Sequence, residues 1–301
     1  MVYSFFMSKL PEFYEEFVSF SCNRMDFILK RLKEKKVKAV VMPIEGRNHI
    51  YVVFPQRCYN PMFRIKTVIA HYDRFPESPG ANDNSSSVLA LIDWAAELNE
   101  MPFHNVRLIF TDGEELCANE KASVNSQGAF GLAAVFRRLN LTKDDVYVFD
   151  CVGRGTIPII ADVVVPIKTN HNFIKRFSKL KERTENLLKT SCGHFLCLPV
   201  GYSDNAGFFA NGIPALVITF LPEDEVQKYM ENLIAFPELA NFVRNGKKSN
   251  FCDKSILEEK LPVSWQKLHT PMDNIESLTP ESFLIMKKIL TNLAQLKSVV
   301  V

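Results

Sequence analysis

Short apolar runs that alternate with helical segments constrain what this chain of 301 residues can fold into. Three such runs end at His71, Thr111 and Asp150, and each is short enough and apolar enough for a buried strand. Apolar residues at helical spacing over 86–98 and 128–139 predict helices between the strands. Strands that alternate with helices indicate a three-layer α/β domain.

The remaining segments extend this pattern without an evident domain boundary. Residues 1–36 form an N-terminal helical segment with an amphipathic pattern, and 37–44 with 49–54 read as a β-hairpin. The charged segment 222–262 reads as a helical insertion or a lid. We therefore expect residues 1–301 to form a single domain.

Composition and charge exclude several classes of protein. The net charge is +2, so no strong electrostatic field would attract nucleic acid or an anionic membrane. The seven cysteines are scattered, and an odd number without a C-x-x-C pair argues against a disulfide framework. The apolar N-terminus is short and lacks the charged start of a signal peptide. We expect a cytoplasmic protein without nucleic-acid or membrane partners.

Two adjacent glutamates, Glu114 and Glu115, follow the apolar run 106–111 and the turn residue Gly113. Two carboxylates placed side by side at the end of a buried strand repel each other, and both lose water. A cation or a proton is needed to make this arrangement tolerable. Ligands of open α/β sheets bind at such strand ends, so the pair marks a candidate site.

Acidic residues and histidines recur at other predicted strand ends and in the loops before helices. His71 and Asp150 end strands, Asp83 opens a helix, and His269 precedes the last helix. Each residue alone is also compatible with a turn or cap. Together with one of the paired glutamates, they offer two histidines and three carboxylates, a set that suits Zn²⁺, Mn²⁺ or Co²⁺. With one bridging carboxylate, the set would hold two ions roughly 3.5–4 Å apart.

These segments resemble the zinc aminopeptidases of the bacterial leucyl aminopeptidase type, which are co-catalytic zinc exopeptidases. The matching motifs occur in the order of the family and cover roughly residues 65–298. The matching segments are 71–73, 80–87, 110–115, 148–150, 202–204 with 212–215, and 269–273. The resemblance implies a three-layer α/β/α sandwich with a mixed, mostly parallel central sheet.

The resemblance also implies a ligand set for two zinc ions. Asp83 would bridge the ions. His71 and Asp150 would complete one site, and Glu115 and His269 would complete the other.

By the same resemblance, the remaining acids would have catalytic roles. Glu114 would be the general base that takes a proton from the metal-bound water and passes it to the leaving amine. Asp73 would orient the ring of His71. The family implies a cis peptide bond after Asp83.

The segment with Tyr202, Ser203 and Asp204 is a candidate for substrate binding. By the resemblance, these residues could line the pocket for the free α-amine or for the side chain of the N-terminal residue. They are also compatible with a turn before a short helix over 206–210.

Three functions remain open at this point. The first is a zinc-dependent aminopeptidase that removes N-terminal residues from peptides or aminoacyl compounds. The second is a glutaminyl cyclase, which shares the fold and uses one zinc. The long insert 116–127 favours it, but Leu268 stands where cyclases typically have a tryptophan. The third, a non-catalytic relative, would normally have lost a ligand or the base.

Overall fold

A computed structural model describes residues 10–115, 123–164, 170–244 and 254–299. Their strands form one eight-stranded sheet in the order β1-β2-β4-β3-β5-β8-β6-β7. The strands are β1 (Lys38–Ile44), β2 (Arg47–Val53), β3 (Lys66–His71), β4 (Val106–Thr111), β5 (Asp145–Phe149), β6 (Ile157–Ala161), β7 (Leu196–Leu198) and β8 (Ala215–Leu221). Strands β4, β3, β5 and β8 run parallel at the centre of the sheet. The sheet is mixed because β1–β2, β2–β4 and β6–β8 are antiparallel pairs.

Helices cover both faces of this sheet, which confirms the predicted three-layer α/β/α architecture. The helices are α1 (Tyr14–Val18), α2 (Arg24–Glu34), α3 (Ser86–Glu100), α4 (Gly128–Arg138), α5 (His171–Cys192), α6 (Asn205–Ala210), α7 (Glu223–Ala235), α8 (Glu238–Arg244), α9 (Lys254–Glu259), α10 (Val263–Gln266) and α11 (Pro280–Gln295). Helices α2, α3, α5 and α11 share a core with one face of the sheet. Helices α4 and α6 share a core with the opposite face.

Alternating side chains of the central strands supply these two cores. In β3, Val68 and Ala70 pack on the first face, whereas Ile69 packs on the second. In β5, Tyr147 packs on the first face and Val148 packs on the second. Because helices cover both faces, the middle residues of these strands are apolar on both sides of the sheet, as the apolar runs in the sequence predict.

A third core lies where β6 and β8 meet the helices of the segment 222–262. Tyr229 of α7, Phe242 of α8 and Leu257 of α9 pack there with Ile159 and Leu221. The described part of this segment is therefore helical, as the sequence predicts, and it packs against the sheet. Residues 245–253 of the same segment lie outside the described residues.

The N-terminal half follows the predicted order closely. The predicted hairpin is present, with Ile44 paired to Arg47 across its turn. The described part of the segment 1–36 contains α1 and α2, which pack on the face that carries α3. Of the insert 116–127, residues 116–122 lie outside the described residues, and Val124–Ser126 form a short 3-10 helix.

Two further expectations concern the whole chain. Among the helices of the described residues, none has the length and apolarity that crossing a bilayer requires. That residues 1–301 form one domain stays a prediction.

Truncation of Phe220 should destabilise the fold strongly. This residue of β8 is fully buried in the first core, so Phe220→Ala should lower the free energy of unfolding by about 3–5 kcal/mol. Urea denaturation measures the change. The matched control is Ile234→Ala on α7, which is 82% exposed and should change the same quantity by less than about 0.5 kcal/mol. Equal effects of both substitutions would contradict the assigned core.

Candidate functional site

The sequence-predicted acids and histidines meet at one edge of the sheet. His71 is the last residue of β3, and Asp150 directly follows β5. Glu114 and Glu115 follow β4 after a short turn. Because β4, β3 and β5 are neighbouring parallel strands, their carboxyl ends lie side by side at this edge.

Asp83 reaches the same edge from an irregular turn, Ala81–Ser85, that precedes α3. The peptide bond between Asp83 and Asn84 is cis, as the family resemblance implies. The Asn84 side chain donates to the carbonyl of Phe149 at 2.9 Å and accepts from the backbone N–H of Cys151 at 3.2 Å. This turn is therefore hydrogen-bonded to the residues directly before and after Asp150.

A buried carboxylate, Asp273, holds the turn from another side. Its two oxygens accept the backbone N–H groups of Asn82 at 2.8 Å and Asp83 at 3.0 Å. Burial and the nearby Asp83 carboxylate raise the pKa of Asp273 to about 6. Asp273 lies four residues after His269, so one short segment fixes the backbone at Asp83 and also carries a candidate ligand. The sequence motif includes Asp273, but its role was not predicted.

Two groups of candidate ligands share Asp83. In the first group, His71 Nε2 lies 3.1 Å from Asp83 Oδ1 and 3.6 Å from Asp150 Oδ1. In the second group, His269 Nε2 lies 3.3 Å from Asp83 Oδ2 and 3.0 Å from Glu115 Oε2. Within each group, the candidate ligand atoms lie within 4.8 Å of one another. Asp83 therefore presents one oxygen to each group, as a bridging carboxylate does.

The donor atoms of the two groups fit a divalent metal. Both ring nitrogens of His71 and Oε1 of Glu115 are buried without a hydrogen-bond partner among the described residues. Burial alone would lower the pKa of His71, but three neighbouring carboxylates, Asp150 foremost, raise it well above its ordinary value. The carboxylates thus favour a positive charge at this position. Imidazole and carboxylate donors without a thiolate are a set that zinc accepts.

The adjacent glutamates face different surroundings. Glu115 belongs to the group around His269, whereas Glu114 lines a cavity and accepts a hydrogen bond from the Gln127 amide at 3.4 Å. Burial and the nearby Asp83 raise the pKa of Glu115 to about 7. Burial, together with the charge of Glu115, also raises the pKa of Glu114 well above its ordinary value. Glu115 is thus a candidate ligand, and Glu114 lies outside both groups.

Asp73 connects His71 with the two glutamates. Its carboxylate oxygens accept the backbone N–H of Glu114 at 3.3 Å and of Glu115 at 2.8 Å. The same carboxylate lies 3.6 Å from His71 Nδ1. Burial would raise the pKa of Asp73, but His71 and the backbone donors lower it overall. Asp73 is therefore hydrogen-bonded to the backbone of both glutamates and lies beside the imidazole of His71.

An aromatic ring supports His269, which is half exposed and adopts a positive φ of 61°. The ring of Phe75 stacks on the imidazole with a centroid distance of 5.0 Å and an interplanar angle of 16°. Sequence reasoning missed Phe75 because it lies in a turn-rich segment far from His269 along the chain. No local pattern indicates this contact.

A cavity of about 440 Å³ opens beside the two ligand groups. Its lining includes the carboxylates of Asp83, Glu114 and Asp150. The apolar part of the lining, called the apolar wall below, comes from β8, α8 and the segment around α10. The residues of the apolar wall include Val217, Phe242, Val243, Leu261, Trp265 and Leu268. Trp265 lines the cavity and also packs against the third core, where its ring lies 5.1 Å from that of Tyr229.

Of the three candidate substrate-binding residues, Tyr202 alone lines this cavity, and it is 47% exposed. Ser203 and Asp204 are buried because they lead into α6. The Asp204 carboxylate instead accepts a hydrogen bond from the hydroxyl of Thr111, the last residue of β4. Burial raises the pKa of Asp204 to about 7. The structure thus places Tyr202 in the cavity lining and Ser203 and Asp204 in the turn before α6, and substrate binding by Tyr202 stays a prediction.

Residues 64–294 match the family model of peptidase family M28, and this match spans well over half of the chain. The chain belongs to peptidase family M28. The motif resemblance is thereby confirmed at the level of the family. No curated protein sequence matches the chain.

Solved structures share the fold of this M28 chain. The LapA aminopeptidase of Legionella pneumophila has a TM-score of 0.59 at 12% identity, over 96% of this chain and 71% of LapA. The zinc aminopeptidase BSAP of Bacillus subtilis has a TM-score of 0.50 at 18% identity, over 82% of this chain and 49% of BSAP. A glutaminyl cyclase of Porphyromonas gingivalis has a TM-score of 0.58 at 14% identity, over 94% of this chain and 95% of the cyclase.

Asp73→Asn should weaken metal binding by this M28 chain. The two carboxylate oxygens of Asp73 each accept a hydrogen bond from a backbone N–H group. An asparagine has only one oxygen, so its NH₂ group would face one of these N–H groups and that hydrogen bond would be lost. We expect the zinc affinity to fall by about 10–100-fold, measured by competition with a chelator.

The control for this substitution is Asp93→Asn, because Asp93 is exposed and pairs only with Lys35 among the described contacts. Its zinc affinity should equal that of the wild type. An Asp73→Asn variant that binds zinc as tightly as the wild type would contradict the orienting role.

Proposed function

We propose that this M28 peptidase is a zinc-dependent aminopeptidase that removes N-terminal residues from peptides. The observation that carries the proposal is the placement of Asp83, whose two carboxylate oxygens face two separate groups of a histidine and a carboxylate. A shared carboxylate between two such groups is typical of sites that hold two ions. Family membership independently supports peptide hydrolysis.

Each candidate ligand has a definite place in this proposal. His71 and Asp150 would hold one ion, Glu115 and His269 would hold the other, and Asp83 would be shared by both. Zinc supplies Lewis acidity that polarises the scissile carbonyl and makes water more acidic. The residues of the chain contribute positioning and proton transfer.

Glu114 is placed to act as the general base. Its side chain lines the cavity and lies outside both ligand groups, so it is available to a water molecule and to substrate. Burial raises the pKa of its carboxyl group well above the ordinary value, which makes the carboxylate a stronger base. Glu114 would accept a proton from the attacking water and donate it to the nitrogen of the leaving amine. The Gln127 amide and the Asp73 carboxylate hold this segment in place.

The cavity suits an N-terminal residue with an apolar side chain. Carboxylates on one side favour the cationic α-amine of such a residue, since opposite charges attract most strongly where water is excluded. The apolar wall around Phe242 and Trp265 would contact the side chain, and burying apolar surface there stabilises the complex. Tyr202 lies in the same lining and is half exposed.

A glutaminyl cyclase is the second candidate, and two observations favour it. The chain and the Porphyromonas gingivalis cyclase correspond over nearly their full lengths, at 94% and 95%. In addition, Trp265 gives the cavity an aromatic wall, which would pack against a small flat ring. In that reaction the α-amine of an N-terminal glutamine attacks its own side-chain carbonyl, and ammonia leaves.

Substitution of the two glutamates should separate their roles. Glu114→Gln should abolish peptide hydrolysis while the zinc content stays near that of the wild type, because the amide cannot accept the proton. Glu115→Gln should instead lower the zinc content, because it removes a charged candidate ligand. Metal analysis measures the zinc content of both variants, and a turnover assay measures their peptide hydrolysis. Loss of zinc in Glu114→Gln would show that the roles are exchanged.

A substrate panel should decide between the two enzymes. We expect turnover of leucyl- and phenylalanyl-anilides that depends on added zinc, and weaker turnover of glutamyl-anilide, whose charge would face the apolar wall. Formation of pyroglutamate from a glutaminyl substrate, without release of any anilide, would support the cyclase instead. A wild-type protein without affinity for zinc would contradict both enzymes.

A further inference from the structure

Arg24, near the start of α2, is a buried cation that the proposed reaction does not use. Only 6% of this residue is exposed, and its guanidinium lies over the ring of Phe17 at 4.7 Å. Among the described residues, no carboxylate lies within ion-pair distance of it. Burial lowers its pKa to about 10, so it remains charged at neutral pH. A buried charge of this kind requires compensation from other polar groups.

That compensation comes from the loop that leads from β3 to α3. Arg24 Nη1 donates to the carbonyl oxygens of Tyr72 at 3.1 Å and Asp73 at 3.3 Å. Nη2 donates to the carbonyl of Pro79 at 2.8 Å and to the hydroxyl of Ser85 at 2.9 Å. A longer contact of 3.4 Å reaches the carbonyl of Gly80. One planar group therefore fixes both ends of the loop.

Tyr14 of α1 adds a further contact to the same loop. Its hydroxyl is buried and donates to the carbonyl of Ala81 at 2.6 Å. Gly80 makes the close approach possible, since a Cβ atom there would lie 2.6 Å from the carbonyl oxygen of Asp83 and 3.1 Å from Arg24 Nη2. The loop is thus packed around the side chains of the N-terminal segment.

This loop contains much of the candidate metal site. It follows His71 directly, and it carries Asp73 and the shared carboxylate of Asp83. Arg24 and Tyr14 lie outside residues 64–294, which match the peptidase family. The N-terminal segment therefore contacts the backbone of the site without supplying a candidate ligand.

We propose that Arg24 is a positioning residue that clamps the 72–85 loop and thereby holds Asp73 and Asp83 in place for metal binding. The proposal rests on the proposed zinc site. Its physical basis is that several carbonyl dipoles converge on one guanidinium. Without the cation these carbonyl groups repel one another and lose their hydrogen bonds, so the loop gains alternative conformations. Displaced ligands then bind the metal less tightly.

The test compares Arg24→Met with Arg31→Met on the same helix. Arg31 is a matched control because it is also buried and also lies over aromatic rings, those of Phe13 and Phe27. Its hydrogen bonds go to Glu16 and Glu34 rather than to the loop. Both substitutions remove a buried cation from α2, but only the first removes contacts to the 72–85 loop.

Two measurements on each full-length variant give the result. In the metal-free protein, hydrogen exchange of peptides that cover residues 72–85 should be faster in Arg24→Met than in the wild type, and unchanged in Arg31→Met. The zinc affinity from chelator competition should fall by about 10–100-fold in Arg24→Met only. Either wild-type exchange in the loop or wild-type zinc affinity in Arg24→Met would overturn the proposal.

Two further variants separate positioning from general stability. Tyr14→Phe removes one hydroxyl and keeps the buried ring, and it should lower zinc affinity by a smaller factor than Arg24→Met. Arg24→Ala leaves space for a free guanidinium ion, and millimolar guanidinium should restore part of its zinc affinity. The same guanidinium concentration should leave the zinc affinity of a control Arg31→Ala variant unchanged. If guanidinium restores none of the zinc affinity of Arg24→Ala, and hydrogen exchange of residues 72–85 in this variant equals that of the wild type, the proposed clamp is overturned.

The outcomes also distinguish the clamp from the proposed function. If the wild type binds no zinc, the zinc site fails, whereas hydrogen exchange in the metal-free variants still tests the clamp. If the wild type binds zinc and Arg24→Met binds it equally well, the clamp fails and the zinc site stands.

Discussion

Repulsion between carboxylates that converge at one edge of the sheet is the constraint on which the rest of the structure depends. Asp83, Glu115 and Asp150 approach two histidines within a few ångströms, and the flexible side chains alone would move apart. Hydrogen bonds to the backbone of the loops, rather than to the acidic side chains themselves, keep these groups together. Asp73 and Asp273 bind the N–H groups of the loops that carry the acids. The site is thus held ready for a cation.

Much of the fold and of the site could be predicted because the signals are local. The central strands are rich in apolar residues. Strands β3 and β4 end at His71 and Thr111, and Asp150 directly follows β5. Parallel neighbours bring such ends together, so His71, Asp150 and the two glutamates could be grouped from sequence alone. Motif spacing added Asp83 and His269, and the structure brings both to that edge.

The remaining features depend on contacts between distant segments, which leave no local pattern. Strand β7 has only three residues and was missed. Asp204 looked like a pocket residue, but its position at the start of α6 turns it toward Thr111. Trp265 reads as an ordinary apolar residue until α10 places it in the cavity wall. Arg24 reads as one more charge of an amphipathic helix, although it is almost completely buried.

The sharing of Asp83 has a thermodynamic consequence for the two ligand groups. Because one carboxylate contributes an oxygen to each group, occupation of one group changes the free energy of occupying the other. Binding of a first ion would fix the rotamer of Asp83, which would raise the affinity for a second ion. The positive charge of the first ion would lower that affinity. The number of ions bound at a given zinc concentration therefore depends on the free energy of this coupling as well as on the donor atoms.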